Sequence, residues 1–221
     1  TVAGVLDEHE YLVHYCTIDQ VRSDVAFLKK AGEAEVVVMI AGVTVPGKYL
    51  GGTPATFQDI RQVGASLQQS ETYLGGPVVF GSSSGGGERA LRSSTTGFHH
   101  LLMGSPALAL DASLSGKTTV PDHSYGLEDG WAERGAGIVF QHPLFPHLLC
   151  ELETARGCSH AQSGGCSFCT EPFYGRPQYR PLSGIIREVT ALYRHGVKHF
   201  RLGRQPDLLT YMAGSGEFPR P

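Results

Sequence analysis

Val36-Val-Val-Met-Ile40 is a continuous apolar run, the pattern of a parallel strand covered on both faces. Its surroundings alternate. Upstream, Tyr11 to Thr17 suits a short strand, and Ile18 to Ala31 a helix that ends at Gly32. Downstream comes a loop from Gly42 to Gly52, then a helix with Thr53 as its cap and Pro54 at its first position. Phe57, Ile60, Val63 and Leu67 fall on one face of that helix. Thr72 to Phe80 reads as the next strand, interrupted by the turn-like Gly75-Gly76-Pro77, and Phe98 to Met103 as another. Strands spaced by helices imply an α/β protein whose first part is a Rossmann-like, doubly wound parallel sheet.

Residues 105–135 are weakly patterned: a helix from Pro106 to about Leu114, then an irregular linker through Gly126. A domain boundary is therefore expected between residues 135 and 136. Beyond it the alternation restarts, with Leu148 to Thr154 as a strand. Ser183 is expected to cap a helix whose stripe is Ile185, Ile186, Val189, Leu192 and Tyr193. Gly196 is placed to end it, and Val197 to Leu202 forms the next strand.

The 221 residues carry a formal net charge of -3, with 18 Lys and Arg against 21 Asp and Glu. No Lys/Arg run offers a footprint for a phosphate backbone, so nothing points to nucleic acid as a partner. No signal peptide and no apolar stretch long enough to span a bilayer appear, so no membrane role and a cytoplasmic location are expected. The chain opens at Thr1 without a methionine and closes on Gly-Glu-Phe-Pro-Arg-Pro, which suggests that both ends are cut.

Three of the five cysteines crowd into Arg156-Gly157-Cys158-Ser-His-Ala-Gln-Ser-Gly-Gly-Cys166-Ser-Phe168-Cys169-Thr-Glu171-Pro172. A disulfide framework would scatter them, so a reducing compartment and a metal are the better reading. Thiolates suit iron–sulfur clusters, and a four-iron cluster with a full protein set takes four. Three would leave one iron open, the usual mark of a catalytic rather than a structural metal. The alternative is a zinc site completed by Cys150 or His160, although zinc sites generally use two short-spaced pairs and only one Cys-x2-Cys pair is present. Cys150 and Cys16 read as core residues.

This loop resembles the cluster-binding segment of the radical S-adenosylmethionine (SAM) superfamily, usually Cys-x3-Cys-x2-Cys after the first strand of a partial (β/α) barrel. The x2 spacing and an aromatic residue before the last cysteine, Phe168, are kept, while the first gap has seven residues instead of three. From Glu151 through Tyr174-Gly175 to His199–Asp207 the chain is also similar to archaeal radical SAM proteins of unassigned reaction. The resemblance implies that Cys158, Cys166 and Cys169 hold a [4Fe-4S] cluster whose open iron chelates SAM. It further implies an enzyme that cleaves SAM reductively to a 5′-deoxyadenosyl radical, acting on an unknown substrate. A low-potential electron donor of ferredoxin or flavodoxin type would serve it. Phe168 matches a residue near the adenine, and Gly203, Arg204 and Gln205 stand where the family often has a Gly-Gly-Glu-type SAM motif. Residues 136–221 would then be the N-terminal part of a TIM-barrel-like fold, truncated at its end, since a complete barrel takes about 250 residues.

The first half, residues 1–135, looks like the cobalamin-binding-type domains that precede many radical SAM barrels. The base-off signature Asp-x-His-x-x-Gly is absent, so the resemblance implies either cobalamin held without a histidine ligand or no cofactor. Glu153, Arg156 and Glu171 flank the cysteine loop and read equally as groups orienting a cluster or SAM and as paired surface charges. His99, His100, His195 and His199 lack ligand-like spacing, and His142 and His147 look like turn residues. Gly81 to Gly87 lacks the Lys-Ser/Thr of a phosphate loop and reads as a surface loop.

Overall fold

The computed structural model describes residues 1–42, 53–80, 97–121, 124–166, 169–204 and 211–212. The chain is a mixed α/β protein with parallel sheets, and it divides into two units. One is Cys16–Leu110; the other joins Thr1–Tyr15 to Asp111–Pro221. This division falls inside a helix, Pro106–Leu114, whereas the sequence suggested one near residue 135.

In the unit Cys16–Leu110, β1 (Val36–Ile40), β2 (Glu71–Gly75) and β3 (His100–Leu102) lie side by side in that order, all parallel. Val38 is opposite Tyr73, and Tyr73 is opposite His100. The apolar run is a strand as expected, but it is only partly buried and Ile40 is half exposed. Among the described strands β1 is an edge, and the fully covered strand is β2, with Thr72, Tyr73 and Leu74 buried.

The helices of this unit follow their caps more closely than their apolar periods. Ile18 to Ala31 breaks into α2 (Ile18–Ser23) and α3 (Val25–Gly32), because Asp24 takes an extended conformation and its carboxylate accepts from the Ala26 N–H at 2.8 Å. After β1, α4 (Phe57–Ser66) starts later than expected. Thr56 rather than Thr53 caps it, since Asp59 stands three residues on and completes a reciprocal capping box. Ile60 and Val63 of α4 are buried, and Ile60 packs with Leu74, Val78, Val79 and Ala41. Each large member of such a cluster contributes roughly 1.5–3 kcal/mol. After β2 the chain makes a single 3-10 turn, Pro77–Phe80, instead of continuing as a strand. Gly76 turns it at φ +91, where a β-carbon would stand 2.6 Å from the Ala41 carbonyl oxygen. Most of the Gly42–Gly52 loop, and Gly81–Gly87, lie outside the described residues.

The other unit begins with α1 (Val2–Glu8) and takes in the end of α5 (Pro106–Leu114), predicted with those limits. The stretch from Tyr11 to Thr17 is not a strand. One side chain, Gln141, occupies its backbone, accepting from Tyr15 N–H at 2.7 Å and donating to Val13 O at 2.9 Å. The expected linker ends in a helix, α6 (Tyr125–Arg134). That helix carries no apolar stripe: it has two glycines and buries Glu128 and Asp129 beside Trp131 and Ala132. α1 packs on it at Gly4, where a β-carbon would be 2.0 Å from the Trp131 carbonyl oxygen.

The sheet of this unit pairs β4 (Leu149–Glu153) with a later strand, β7 (His199–Gly203), in parallel. Between them lie a short antiparallel pair, β5 (Ala155–Arg156) with β6 (Gln178–Tyr179), and the crossover helix α7 (Leu182–Arg194). Ser183 is inside that helix and caps nothing: Pro181 holds the N-cap position with its φ already near the helical value. Of the expected stripe, Ile185 and Leu192 are buried with Leu152, Val139 and Val197, while Ile186 and Tyr193 face outward. Gly196 ends the helix at φ +93, as its position suggested. Among the described residues no helix is long and apolar enough to cross a membrane.

Candidate functional site

Alternation along β4 decides what reaches the site. Leu152 and Cys150 point to the core shared with α7, so Glu151 and Glu153 lie on the opposite face. Parallel register puts Glu151 beside Arg201 and Glu153 beside Gly203, so both strands end at the same level. From that end the chain passes through Thr154 into β5, and the β5–β6 pair closes the base of a loop that contains all three clustered cysteines.

The loop is held by backbone contacts that demand glycine. Cys158 N–H donates to Gly175 O at 3.0 Å. Gly157 has φ +89, and a β-carbon there would sit 2.4 Å from Arg176 O. The chain then turns through Ala161–Ser163 into two left-handed glycines, Gly164 and Gly165. Cys158 Sγ accepts from His160 N–H at 3.4 Å, and Cys169 N–H donates to Cys166 O at 3.0 Å. Cys166 is exposed; Cys158 and Cys169 are half buried.

As a donor set, three thiols on one loop, one already receiving a backbone N–H, fit a cluster of thiolate-ligated irons. They do not converge: among the described residues no three His, Cys, Asp or Glu side chains group at metal-holding distance. Phe168 and Gln205 lie outside the described residues. Gly203 is buried at the end of β7, with a β-carbon there only 2.4 Å from the Glu151 side chain, and Arg204 follows in a left-handed conformation at φ +57.

The charged residues flanking the loop are not free surface charges. Arg156, 6% exposed, pairs with Glu128 at 2.9 Å and Glu153 at 2.6 Å, between the rings of Tyr125 and Tyr174. Glu153 also accepts from Arg204, whose Nε and Nη2 both bond one oxygen of Glu171, at 3.1 and 2.8 Å. Burial disfavours the charge on Arg204, but Glu153 and Glu171 more than offset it, and its pKa stands above the ordinary guanidinium value. Burial and Glu153 together push the Tyr125 phenol far above its usual range, so it stays a hydroxyl and donates to Glu153 at 3.3 Å. A second buried arginine, Arg180, pairs with Asp129 at 2.7 Å and with Glu188. Tyr125, Glu128, Glu151, Glu153, Arg156, Arg180 and Glu188 line a cavity of about 240 Å³.

The partners Glu128, Asp129, Tyr125, Tyr174 and Arg180 carry no local signal in the sequence, because they meet arginines or carboxylates on other elements. Cys150 packs against the α7 core, and burial raises its thiol pKa, as it does that of Cys16. The histidines serve structure where their contacts are described. His99 Nδ1 meets Thr72 Oγ1 at 3.0 Å, His100 pairs with Glu71, and His195 packs edge-on against Phe140.

Two curated archaeal proteins match the chain over nearly all of its length. The uncharacterized protein MJ0274 of Methanocaldococcus jannaschii is 34% identical over 97% of this chain. An uncharacterized protein of Archaeoglobus fulgidus is 34% identical over the whole of it. The chain spans 41% and 38% of their lengths, about two fifths. No family model matches the chain, and no solved structure matches it with significance.

Proposed function

We propose that this chain carries the cluster-binding segment of a radical SAM enzyme, with Cys158, Cys166 and Cys169 holding a [4Fe-4S] cluster. One observation carries the reading. The three-cysteine loop leaves the carboxyl end of a parallel strand, β4, and the next parallel strand, β7, brings Gly203 and Arg204 to that same end. Parallel α/β architectures collect their ligands at that edge of the sheet. The β4–α7–β7 unit is read as the opening of a (β/α) barrel, and the Cys16–Leu110 unit as Rossmann-like. When bound, the cluster and SAM would supply one-electron cleavage of the sulfonium bond to methionine and a 5′-deoxyadenosyl radical. The residues of this chain would position it: Glu153 and Glu171 through Arg204, with Arg156 and its buried carboxylate partners fixing the base of the loop.

The test is anaerobic reconstitution with iron and sulfide, followed by electron paramagnetic resonance of the dithionite-reduced protein with and without SAM. The reading expects a four-iron signal that changes shape on adding SAM and disappears when Cys158, Cys166 and Cys169 are all replaced by alanine. Tightly held zinc without a cluster would overturn it.

A further inference from the structure

Arg204 departs from what a strand end requires. It is a non-glycine residue at φ +57, a left-handed conformation that is sterically unfavourable for an L-residue. Its guanidinium is three-quarters buried, lies 4.5 Å from the centre of the Tyr174 ring and reaches both Glu153 and Glu171. Glu171 has a second contact: its other oxygen accepts from the Gly157 N–H at 3.2 Å. Gly157 immediately precedes Cys158, and Glu171 lies two residues beyond Cys169. A single carboxylate therefore joins the two ends of the cysteine segment, and Arg204 ties that junction to the ends of β4 and β7.

We propose that Arg204 is a positioning residue, a latch that holds the cysteine segment shut on the strand ends and presents its thiols in a fixed arrangement. The proposal deepens the radical SAM reading and rests on it for the identity of the metal, but the latch itself is a property of the unloaded chain. The paired Nε and Nη2 bonds to one Glu171 oxygen and the cation–π contact with Tyr174 both use the extended guanidinium, which an ammonium reproduces only as a point charge. Arg204 touches no thiol among the described contacts; it acts through Glu171 and Gly157.

The experiment measures alkylation rates of each cysteine in the metal-free chain by mass spectrometry, for wild type, Arg204→Ala, Arg204→Lys and Glu171→Gln. Cys150, packed against the α7 core and outside the loop, is the internal reference, and Arg201→Ala on β7 is the control for a lost surface charge. The latch predicts that Arg204→Ala and Glu171→Gln speed alkylation of Cys158 and Cys169 about tenfold, as loss of a buried charge-assisted pair shifts an opening equilibrium. Cys150 should keep its rate, and Arg204→Lys should restore part of the protection. After reconstitution, Arg204→Ala should also bind less iron per chain and shift the reduction potential of what it binds. Unchanged rates at Cys158 and Cys169, or an equal rise at Cys150, would overturn the latch. A wild-type chain that takes up no cluster would overturn the radical SAM reading alone, since the alkylation contrast needs no metal.

Discussion

Asp129 of α6 presses its carboxylate against the backbone of Gly184 in α7, so closely that a β-carbon there would lie 1.9 Å from Oδ2. Asp129 has no room to retreat, because Arg180 holds its other oxygen at 2.7 Å and both side chains are only 5% exposed.

Gly184→Ala should therefore break a buried ion pair rather than merely crowd a helix. Displacing one partner of such a pair leaves an uncompensated charge, and the expected loss is about 3 kcal/mol. A urea titration should show the midpoint fall accordingly. A variant within ~0.5 kcal/mol of wild type, the usual range for surface changes, would show that Asp129 moves freely.

Gly165 probes the cysteine loop in the same way. At φ +67, a β-carbon would stand 2.1 Å from Pro172 Cγ, so alanine must open the turn before Cys166. Gly165→Ala should lower the iron bound per chain on reconstitution severalfold, while the stability of the Cys16–Leu110 unit stays the same. Full iron loading would argue that the left-handed turn is dispensable.

Cys150 separates the cluster reading from a four-ligand zinc site. Burial, reinforced by the charge of Glu188, keeps it a thiol, packed against the α7 core. Cys150→Ala should cost about 1 kcal/mol of stability through lost packing and leave iron uptake intact, whereas Cys158→Ala should abolish uptake. Equal loss of metal from the two variants would place Cys150 among the ligands.

Acid should find the Cys16–Leu110 unit through Asp59. The Arg22 guanidinium, bonded at 2.7 Å, holds this carboxyl well below the usual carboxylate range, helped by Thr56. A carboxyl depressed in the folded state stabilises it above the unfolded pKa of about 3.9 and loses that contribution as pH falls toward the folded value. With the two side chains 28% and 19% exposed, the effect is modest. Asp59→Asn should cost about 1 kcal/mol at pH 7, and the gap from wild type should narrow steadily below about pH 4. A gap independent of pH would mean that the hydrogen bonds, not the charge, carry the contribution.

The sequence by itself determined the local periods and the chemistry of the cysteines. A five-residue apolar run became β1, Pro106–Leu114 became a helix with the limits read from it, and the Leu148–Gly203 stretch became strand, loop, helix and strand. These are legible because alternation, caps and glycine positions act over a few residues of chain. The helix α6 escaped because it buries acids rather than an apolar stripe. Its carboxylates are stable inside only because Arg156 and Arg180, 28 and 51 residues away along the chain, come to meet them. Glu153 and Arg156 are neighbours three residues apart, but Glu128, Glu171 and Arg204, which complete the network, stand on three other stretches of chain and join them only in the folded unit. Charges pair by distance in space, which no spacing in the sequence encodes, so only the tertiary structure decided what holds the cysteine loop.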